Sequence, residues 1–399
     1  MKKVVVTGLG VVSSVGIGWK PFWDSLIAGK SGISLITAFD TTGFTNSYGG
    51  QIKKFDPEKF IDHQRVRKMA RESQMAVAAA RMAVDDAQLS YDSLDPYRTG
   101  VIVGTTNGEF HCISDMVKKI LNHQFCDIEE ELRMNPVIPL NVASELGFYG
   151  PNLIIPTACA AGNYAIGYGY DLILLGKTDV MVCGGVDALA WLAFVGFNRL
   201  GAYAPGKCQP FDKNRKGILT AEGSGMVVLE SLEGAKKRNA PIYAEIKGYG
   251  LSCDAYHMTI PLPEGMARVM ENALMNAGIR KEDVDYINAH GTGTPANDKS
   301  ETRAIQIVFG SDYKKIPVSS IKSMLGHSMG AASALEAVST ILSVKFNIIP
   351  PTINYETHDP ECDIDCVPNE ARNHHIDIAL NNSFAFGGNN ASLVFGKLS

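Results

Sequence analysis

Short apolar runs alternate with longer amphipathic segments along most of this chain. Helices are predicted where apolar residues recur at helical spacing, near residues 68–87, 266–277 and 331–344. The apolar runs predict strands at residues 4–6, 101–103, 153–155, 180–182, 226–229, 285–288, 376–380 and 392–395. Such alternation predicts an α/β protein with buried sheets.

The chain length and a restart of this pattern predict two halves. A chain of 399 residues exceeds what one core usually holds, and the alternation begins again after a glycine-containing stretch at residues 248–250. We therefore expect one half at residues 1–250 and a second at residues 251–399. Residues 105–151 lack a regular pattern and are predicted to form an insertion over the core.

The bulk composition excludes several classes of protein. A formal net charge of -5 argues against nucleic-acid binding, and no apolar run is long enough to span a bilayer. The eight cysteines are scattered without a CxxC pair, and the first residues do not form a secretory signal. These features predict a reduced, cytoplasmic protein that does not enter a membrane.

Cys159 is the strongest candidate for a catalytic residue. It lies where a predicted strand meets a helix-like run, and the small neighbours Ala158 and Ala160 leave room for a substrate. Because a helix N-terminus stabilises a thiolate, we expect the pKa of Cys159 to be lowered. The alternative is a buried structural cysteine, which is the usual state of a free thiol.

Two histidines and a lysine in later segments complete a candidate site. His290 directly follows a predicted strand, and His327 stands in a glycine-containing segment five residues after Lys322. A thiolate with two imidazoles indicates covalent acyl chemistry. The alternatives are a polar turn residue at His290 and a surface position for Lys322.

Further loops offer hydrogen-bonding groups for a ligand. The hydroxyls of Thr292 and Thr294 are suited to an amide-bearing ligand arm. Residues 381–390 can aim backbone N–H groups at an oxyanion, although a tight hairpin is the alternative.

Three other patterns resemble known binding sites but match them poorly. The run Thr7-Gly8-Leu9-Gly10 lacks the third glycine of a dinucleotide fingerprint, since Ser13 occupies that position. Cys253 and His257 suit a loop over the site as well as a ligand pair. A third group has no common zinc spacing, and we therefore expect no metal; its members are His358, Cys362, Cys366, His374 and His375.

Taken together, the chain resembles the β-ketoacyl-acyl carrier protein synthases, and among them the type II elongating condensing enzymes and polyketide ketosynthases. The motifs are Thr-Ala-Cys-Ala, Asn-Ala-His-Gly-Thr-Gly-Thr-Pro and Lys-Ser-Met-Leu-Gly-His-Ser, and the resemblance spans nearly the whole length. It implies a thiolase fold, with α-β-α-β-α layers and two related halves. It also implies decarboxylative Claisen condensation of a Cys-bound acyl chain with malonyl-carrier protein, giving a product two carbons longer.

The resemblance implies partners, substrates and a role for each candidate residue. The partners would be acyl carrier protein and a second subunit, in a homodimer or in a heterodimer with a homologous chain. Substrates would be carried on phosphopantetheine, with no other cofactor. The implied roles are a nucleophile at Cys159, paired histidines at His290 and His327, a supporting lysine at Lys322, oxyanion N–H groups at Cys159 and Phe386, a gate at Phe386, phosphopantetheine contacts at Thr292 and Thr294, and a supporting buried acid at Glu336.

Departures from the family pattern keep alternatives open. Ala385 stands where the family has glycine, so the gate is expected to open differently. Asn107 and Glu109 fall in the segment that lines the acyl pocket, which predicts substrate contact by Asn107. Polar groups there would be costly beside a saturated chain, and this favours a specialised polyene or polyketide ketosynthase, acting alone or with a homologous subunit.

Two other kinds of protein in the same fold class are alternatives to a ketosynthase, and one surface has two interpretations. A thiolase would use coenzyme A thioesters and a second cysteine, and a chain-length-factor-like subunit would lack the nucleophile. The basic residues Arg65, Arg67, Lys68 and Arg71 predict either a docking patch for an acidic carrier protein or an ordinary solvated helix face.

Overall fold

The strands fall where the apolar runs predict them, and most extend beyond those runs. The computed structural model describes residues 2–90, 94–125 and 137–398. In chain order the strands are β1 (Val4–Ser13), β2 (Gly16–Ile17), β3 (Ser34–Leu35), β4 (Tyr48–Gly49), β5 (Thr99–Gly104), β6 (Asn152–Ile155), β7 (Val180–Asp187), β8 (Gly223–Ser231), β9 (Ala244–Cys253), β10 (Tyr286–Asn288), β11 (Val318–Ser319), β12 (Ile348–Ile349), β13 (Arg372–Asn373), β14 (Ile378–Phe384) and β15 (Asn389–Gly396).

The helices include those predicted from helical spacing. The α-helices span Trp19–Ile27, His63–Val66, Arg71–Asp86, Phe110–Leu121, Val137–Leu146, Ala161–Leu174, Trp191–Arg199, Leu232–Lys237, Pro263–Ala277, Pro295–Phe309, Lys322–Leu325 and Ala332–Phe346. Short 3-10 helices lie at Pro57–Lys59, Pro96–Arg98, Ala158–Ala160, Lys281–Asp283, Gly310–Lys315, Met329–Ala331, Pro360–Cys362 and Phe386–Gly388.

The main sheet is a duplication of one five-stranded pattern. Its strand order is β11-β10-β14-β15-β9-β1-β8-β7-β5-β6. Outward from β1, the strands β8 and β7 pair antiparallel, then β5 and β6 pair parallel. Outward from β9, the same sequence of pairings runs through β15, β14, β10 and β11. The halves join through a short antiparallel contact between β1 and β9.

Helices cover both sides of this duplicated sheet and fill its centre. Ala161–Leu174 and Ala332–Phe346 pack on each other and contact strands of both halves, so they form a middle layer. Arg71–Asp86 covers β1 and β8 on the outside, and Pro263–Ala277 covers β9 and β15. This α-β-α-β-α arrangement of two related halves is the one that the family resemblance implies.

The two glycines of the dinucleotide-like run serve helix packing. A Cβ atom at Gly8 would lie 2.0 Å from the carbonyl oxygen of Ala83, and one at Gly10 would lie 1.8 Å from that of Ala79. Only glycine permits the helix Arg71–Asp86 to approach β1 this closely. The run is therefore explained by packing.

Two expectations about organisation differ from the structure. Residues 105–151 are not irregular, since they contain the helices Phe110–Leu121 and Val137–Leu146, and residues 126–136 lie outside the described part. The glycines at 248–250 lie inside β9, where they pair with β15, because a glycine-containing strand can be held by a neighbouring strand and helix. The division after residue 250 stays a prediction.

Within the described residues, no helix combines the length and apolarity needed to cross a bilayer.

Candidate active site

A sharp turn places Cys159 at the junction of β6 and the helix Ala161–Leu174. Ala158 has a φ of 49°, a left-handed conformation that residues other than glycine rarely adopt. Cys159 is 7% exposed, and its carbonyl oxygen accepts a hydrogen bond from Ser383 Oγ at 3.0 Å. Backbone N–H groups at the start of a helix lack partners within it, so the Cys159 N–H is available to a ligand oxygen.

The structure brings Cys159, His290 and His327 together. One possible ligand atom of each side chain lies within 4.8 Å of those of the other two. The imidazole centroids are 5.5 Å apart, with the rings at 83°. His290 follows β10 and His327 follows the helix Lys322–Leu325, and both are buried.

Hydrogen bonds at Nδ1 set the tautomer of both histidines. The backbone N–H of Met329 donates to His327 Nδ1 at 3.1 Å. Lys322 Nζ lies 3.3 Å from His290 Nδ1 and donates to the His290 carbonyl oxygen at 2.7 Å. Because Nδ1 accepts in both neutral rings, Nε2 carries the proton. Two N–H donors suit an oxygen atom and do not suit a metal ion, which needs a lone pair.

Burial and neighbouring positive charge keep both histidine rings neutral. Burial lowers the pKa of His290 well below 6.5, and Lys322 and His327 lower it further. Burial and Lys322 lower the pKa of His327 in the same direction. Lys322 Nζ also donates to the Glu336 carboxylate, whose pKa is raised to about 7 by burial against the effect of Lys322.

The expected fall in the pKa of Cys159 is wrong. Burial raises it to about 12, and the negative charges of Asp187 and Glu336 add to the effect that Lys322 opposes. The helical element at Cys159 is a short turn inside the protein, so loss of hydration outweighs the helix dipole. The thiol is therefore protonated at neutral pH before substrate binds.

Two buried carboxylates hold the loop that carries His290. Glu301 accepts hydrogen bonds from the backbone N–H groups of His290 and Gly291, each at 2.8 Å. Asp298 accepts one from Gly293 at 3.2 Å. Sequence reasoning missed both residues, although acidic residues at the start of the helix Pro295–Phe309, directly after the motif, were a usable signal.

A cavity of about 60 Å³ opens beside the three catalytic candidates, and Thr292 and Thr294 line it. Their hydroxyl oxygens are 2.9 Å apart. The loop at residues 257–261 forms another wall, so the interpretation as a loop over the site holds for His257. Cys253 is instead the last residue of β9 and does not line the cavity.

Phe386 stands at the rim of this cavity. Its ring is 39% exposed and lies 5.6 Å from that of Phe197 between centroids. Its N–H begins a 3-10 helix, where no partner exists within the helix. Ala385 has a φ of −104°, which any residue adopts, so alanine fits this conformation without strain. A different opening of the gate stays a prediction.

Asn107 does not line the cavity in the described part of the chain. Its backbone N–H donates to Asp187 at 2.9 Å, and substrate contact by its side chain stays a prediction. Glu109 is buried and accepts a hydrogen bond from Ser73, which in turn accepts one from Asn141. Glu109 is thus part of a buried polar cluster with Ser73 and Asn141, and its place beside an acyl chain stays a prediction.

The structure also places the members of two other groups considered in the sequence analysis. Among the described residues, the only cluster of potential metal ligands is that of Cys159 and the two histidines, and the more C-terminal group is dispersed; His375, for example, pairs with Asp377. Within the basic patch, Arg65 pairs with Glu145 and Arg71 with Glu222, which reduces the charge available to a partner.

Comparison with known proteins gives consistent matches over the whole chain. Residues 1–235 match the family described as "Beta-ketoacyl synthase, N-terminal domain", and residues 243–356 match "Beta-ketoacyl synthase, C-terminal domain". A Synechocystis protein named 3-oxoacyl-[acyl-carrier-protein] synthase 2 is 41% identical, covering 99% of this chain and 98% of its own. A Coxiella burnetii protein of the same name is 42% identical over 100% and 99%.

Solved structures show the same similarity. "The ishigamide ketosynthase/chain length factor" is 46% identical with a TM-score of 0.97. A type II polyketide ketosynthase in complex with its acyl-carrier protein, AntDE:AntF, is 34% identical with a TM-score of 0.91. Each match covers 100% of both chains.

Proposed function

The chain belongs to the β-ketoacyl synthase family of acyl-transferring condensing enzymes, and from this premise we propose that Cys159, His290 and His327 condense two carrier-bound thioesters. The observation that carries the proposal is the convergence of one thiol with two imidazoles that both present an N–H. The geometry suits the thiol of Cys159 as the nucleophile and the two imidazole N–H groups as donors to an enolate oxygen.

The first half-reaction is acyl transfer to Cys159. The Cys159 sulfur attacks the thioester carbonyl, and the N–H groups of Cys159 and Phe386 stabilise the oxyanion. The acyl–sulfur bond to the carrier breaks as the bond to Cys159 forms, and the proton of the Cys159 thiol ends on the departing carrier thiol. Because the thiol pKa is high, thioester binding and oxyanion stabilisation supply the driving force.

The second half-reaction is decarboxylation and carbon–carbon bond formation. The malonyl thioester loses CO2, and the resulting enolate oxygen accepts hydrogen bonds from His290 and His327. The enolate carbon attacks the acyl-Cys159 carbonyl and releases a β-ketoacyl-carrier product two carbons longer. The Cys159 sulfur takes up one proton, and no redox step is needed. Thr292 and Thr294 bind the phosphopantetheine arm, and Lys322 and Glu336 hold His290.

The partners follow from the same family membership. Acyl carrier protein delivers both substrates on phosphopantetheine, and the enzyme works as a dimer with itself or with a homologous subunit. Two relatives support these partners, one named as a ketosynthase/chain length factor and one in complex with its acyl-carrier protein. The cytoplasmic location predicted from the sequence stays a prediction.

A second candidate, a polyene or polyketide ketosynthase, is favoured by two observations. Identity is 46% to the ishigamide ketosynthase/chain length factor and 41–42% to the cited synthases named 3-oxoacyl-[acyl-carrier-protein] synthase 2. The second observation is the buried polar cluster of Ser73, Glu109 and Asn141, which includes a residue of the segment that the family resemblance assigns to the acyl pocket. Beside an acyl chain, such groups would be costly for a saturated chain and tolerable for a conjugated or oxygenated one.

Intact-protein mass spectrometry tests the nucleophile and the acyl preference together. The protein is mixed with a panel of saturated and polyunsaturated acyl-carrier proteins and with coenzyme A thioesters. We expect an acyl mass shift on the wild type and on the control Cys253→Ser, whose thiol is exposed, and none on Cys159→Ala. Acylation of Cys159→Ala would contradict the proposal, and acylation from coenzyme A thioesters alone would favour a thiolase.

A further inference from the structure

Asp187 is a buried carboxylate that receives four hydrogen bonds. It ends β7 and is 0% exposed. Oδ1 accepts from Thr105 Oγ1 and from the Asn107 N–H, each at 2.9 Å. Oδ2 accepts from the Thr106 N–H at 2.8 Å and from the Gly330 N–H at 2.6 Å. Burial raises the pKa of Asp187 to about 7, and these four hydrogen bonds act in the opposite direction because they favour the ionised carboxylate.

One of these donors connects Asp187 to His327. Gly330 follows Met329, whose N–H holds His327 Nδ1 at 3.1 Å. Met329 has a φ of 50°, a left-handed conformation that persists only where its surroundings fix it. The Asp187 bond to the next peptide N–H, at Gly330, is such a constraint. The backbone that sets the His327 tautomer is thus anchored by Asp187.

The remaining donors anchor the loop of residues 105–107 to the same carboxylate. This loop and Gly330 are in direct contact, since a Cβ atom at Gly330 would lie 2.6 Å from the backbone of Thr105 and Thr106. Preceding the loop, Gly104 packs equally closely against the backbone of Ala161, at the start of the helix after Cys159. Asp187 therefore links the backbone behind the nucleophile to the backbone behind His327.

We propose that Asp187 is a positioning residue for the condensation half-reaction, because it fixes the Met329–Gly330 backbone and so keeps His327 aimed as an Nε2–H donor. This inference rests on the role proposed above for His327. Cys159 acylation uses oxyanion donors on other elements, the N–H groups of Cys159 and Phe386, and depends less on Asp187.

Replacing the carboxylate separates the two half-reactions. In Asp187→Asn an NH2 group replaces one carboxylate oxygen, and this group cannot accept a hydrogen bond. Either the Gly330 N–H or the donors of the loop at residues 105–107 therefore lose their acceptor. We expect condensation of octanoyl- with malonyl-carrier protein to fall by about 10- to 100-fold, since small misplacements of a catalytic group have that effect. The rate of Cys159 octanoylation should change by less than about threefold.

Two readouts distinguish positioning from loss of stability. With ¹⁵N-labelled histidine, the His327 ring, assigned by its loss in His327→Ala, should show one Nε2–H tautomer in the wild type and a mixture in Asp187→Asn. The Asp187 charge also contributes to the raised pKa of Cys159, alongside Glu336 and against Lys322. Removing that charge should shift the pH profile of Cys159 alkylation to lower pH.

Asp86→Asn is the matched control. Asp86 is also a carboxylate with several donors, from the Leu9 N–H, the Trp19 indole and the Tyr243 hydroxyl, but it lies outside the site. We expect Asp86→Asn to lower stability without changing the ratio of the two half-reactions, the His327 spectrum or the alkylation profile. Should Asp187→Asn not fold, Thr105→Val removes one of the four donors to Asp187, together with the acceptor of the Gly108 N–H, and is expected to slow condensation several-fold with acylation unchanged.

The outcomes separate this inference from the proposed function. If His327→Ala condenses as fast as the wild type, the role of His327 is wrong whatever Asp187 does. If His327→Ala is inactive while Asp187→Asn, or Thr105→Val in its place, slows both half-reactions equally or neither, only the positioning role of Asp187 is overturned.

Discussion

At the scale of single residues, the site combines a protonated thiol with two neutral imidazoles. Burial raises the pKa of Cys159 and lowers those of His290 and His327. All three groups are therefore uncharged at neutral pH. Under the proposed function, the intermediates are stabilised by hydrogen bonds from backbone N–H groups and from the two imidazole N–H groups, with Lys322 as a nearby positive charge. Negative charge develops among the thiol, the two imidazoles and the substrate only when a thioester is bound.

The pH dependence of Cys159 alkylation checks this charge state. Below its pKa a thiol gains about tenfold in thiolate fraction per pH unit. With a folded-state pKa raised to about 12, the rate of iodoacetamide modification should keep rising from pH 7 to pH 10. Peptide mass spectrometry would follow the Cys159 peptide, with Cys159→Ala reporting the background from other cysteines. A plateau near pH 7 would instead show a thiolate stabilised by the helix terminus.

At the scale of elements, close backbone approaches hold the nucleophile in place. A Cβ atom at Gly104, the last residue of β5, would lie 2.3 Å from the backbone of Ala161. This contact seats the helix Ala161–Leu174 directly on the strand, and no side-chain rotation can relieve a clash with backbone. The position of Cys159 at the start of that helix thus depends on a glycine in another element.

Two glycine substitutions should have opposite effects on stability. Gly104→Ala should lower the free energy of unfolding by about 1–3 kcal/mol because the clash forces the helix away from β5. Gly196 lies in the helix Trp191–Arg199, and the methyl group that alanine would add there meets nothing within 4 Å, so Gly196→Ala should raise stability by up to about 1 kcal/mol. Urea unfolding of both variants measures the difference. Equal stability of Gly104→Ala and wild type would mean that the contact can relax.

The elements also show what the sequence could and could not predict. Strand and helix positions followed from apolar spacing, and the motif around Cys159 singled out the candidate nucleophile because strand, small residues and helix are contiguous there. The pKa of Cys159 could not be predicted, since it depends on charges at Asp187, Lys322 and Glu336 that are distant in sequence. The same holds for the tautomers, which a backbone N–H and a lysine from other segments fix.

At the scale of the whole molecule, two exposed lysines near the mouth of the cavity are suited to docking an acidic carrier protein. Gly217 donates to the Gly293 carbonyl oxygen at 2.9 Å, between Thr292 and Thr294. Lys213 and Lys216 are exposed and therefore stand near the rim. Unlike Arg65 and Arg71, they form no side-chain ion pair within the described residues. They suit an acidic carrier better than the predicted basic patch does.

Charge reversal at the rim should weaken carrier binding. An exposed charge contact contributes about 0.5–1 kcal/mol, so Lys213→Glu with Lys216→Glu should raise KM for acyl-carrier protein roughly tenfold with little change in kcat. The effect should shrink at high salt. The control Lys236→Glu alters a helix that follows the opposite end of β8 and should leave KM unchanged. An unchanged KM in the double variant would place the docking surface elsewhere.

The duplicated sheet has a consequence for how the enzyme is made. Cys159 belongs to the half that leaves the ribosome first, while His290, His327 and Phe386 belong to the half that follows; Ser383, which bonds the Cys159 carbonyl, is 224 positions away. A nascent chain therefore carries its nucleophile long before the groups that polarise a thioester. If these residues act as proposed, the nascent chain should not react with a thioester until the second half docks on the first, and no separate inhibitor would be needed.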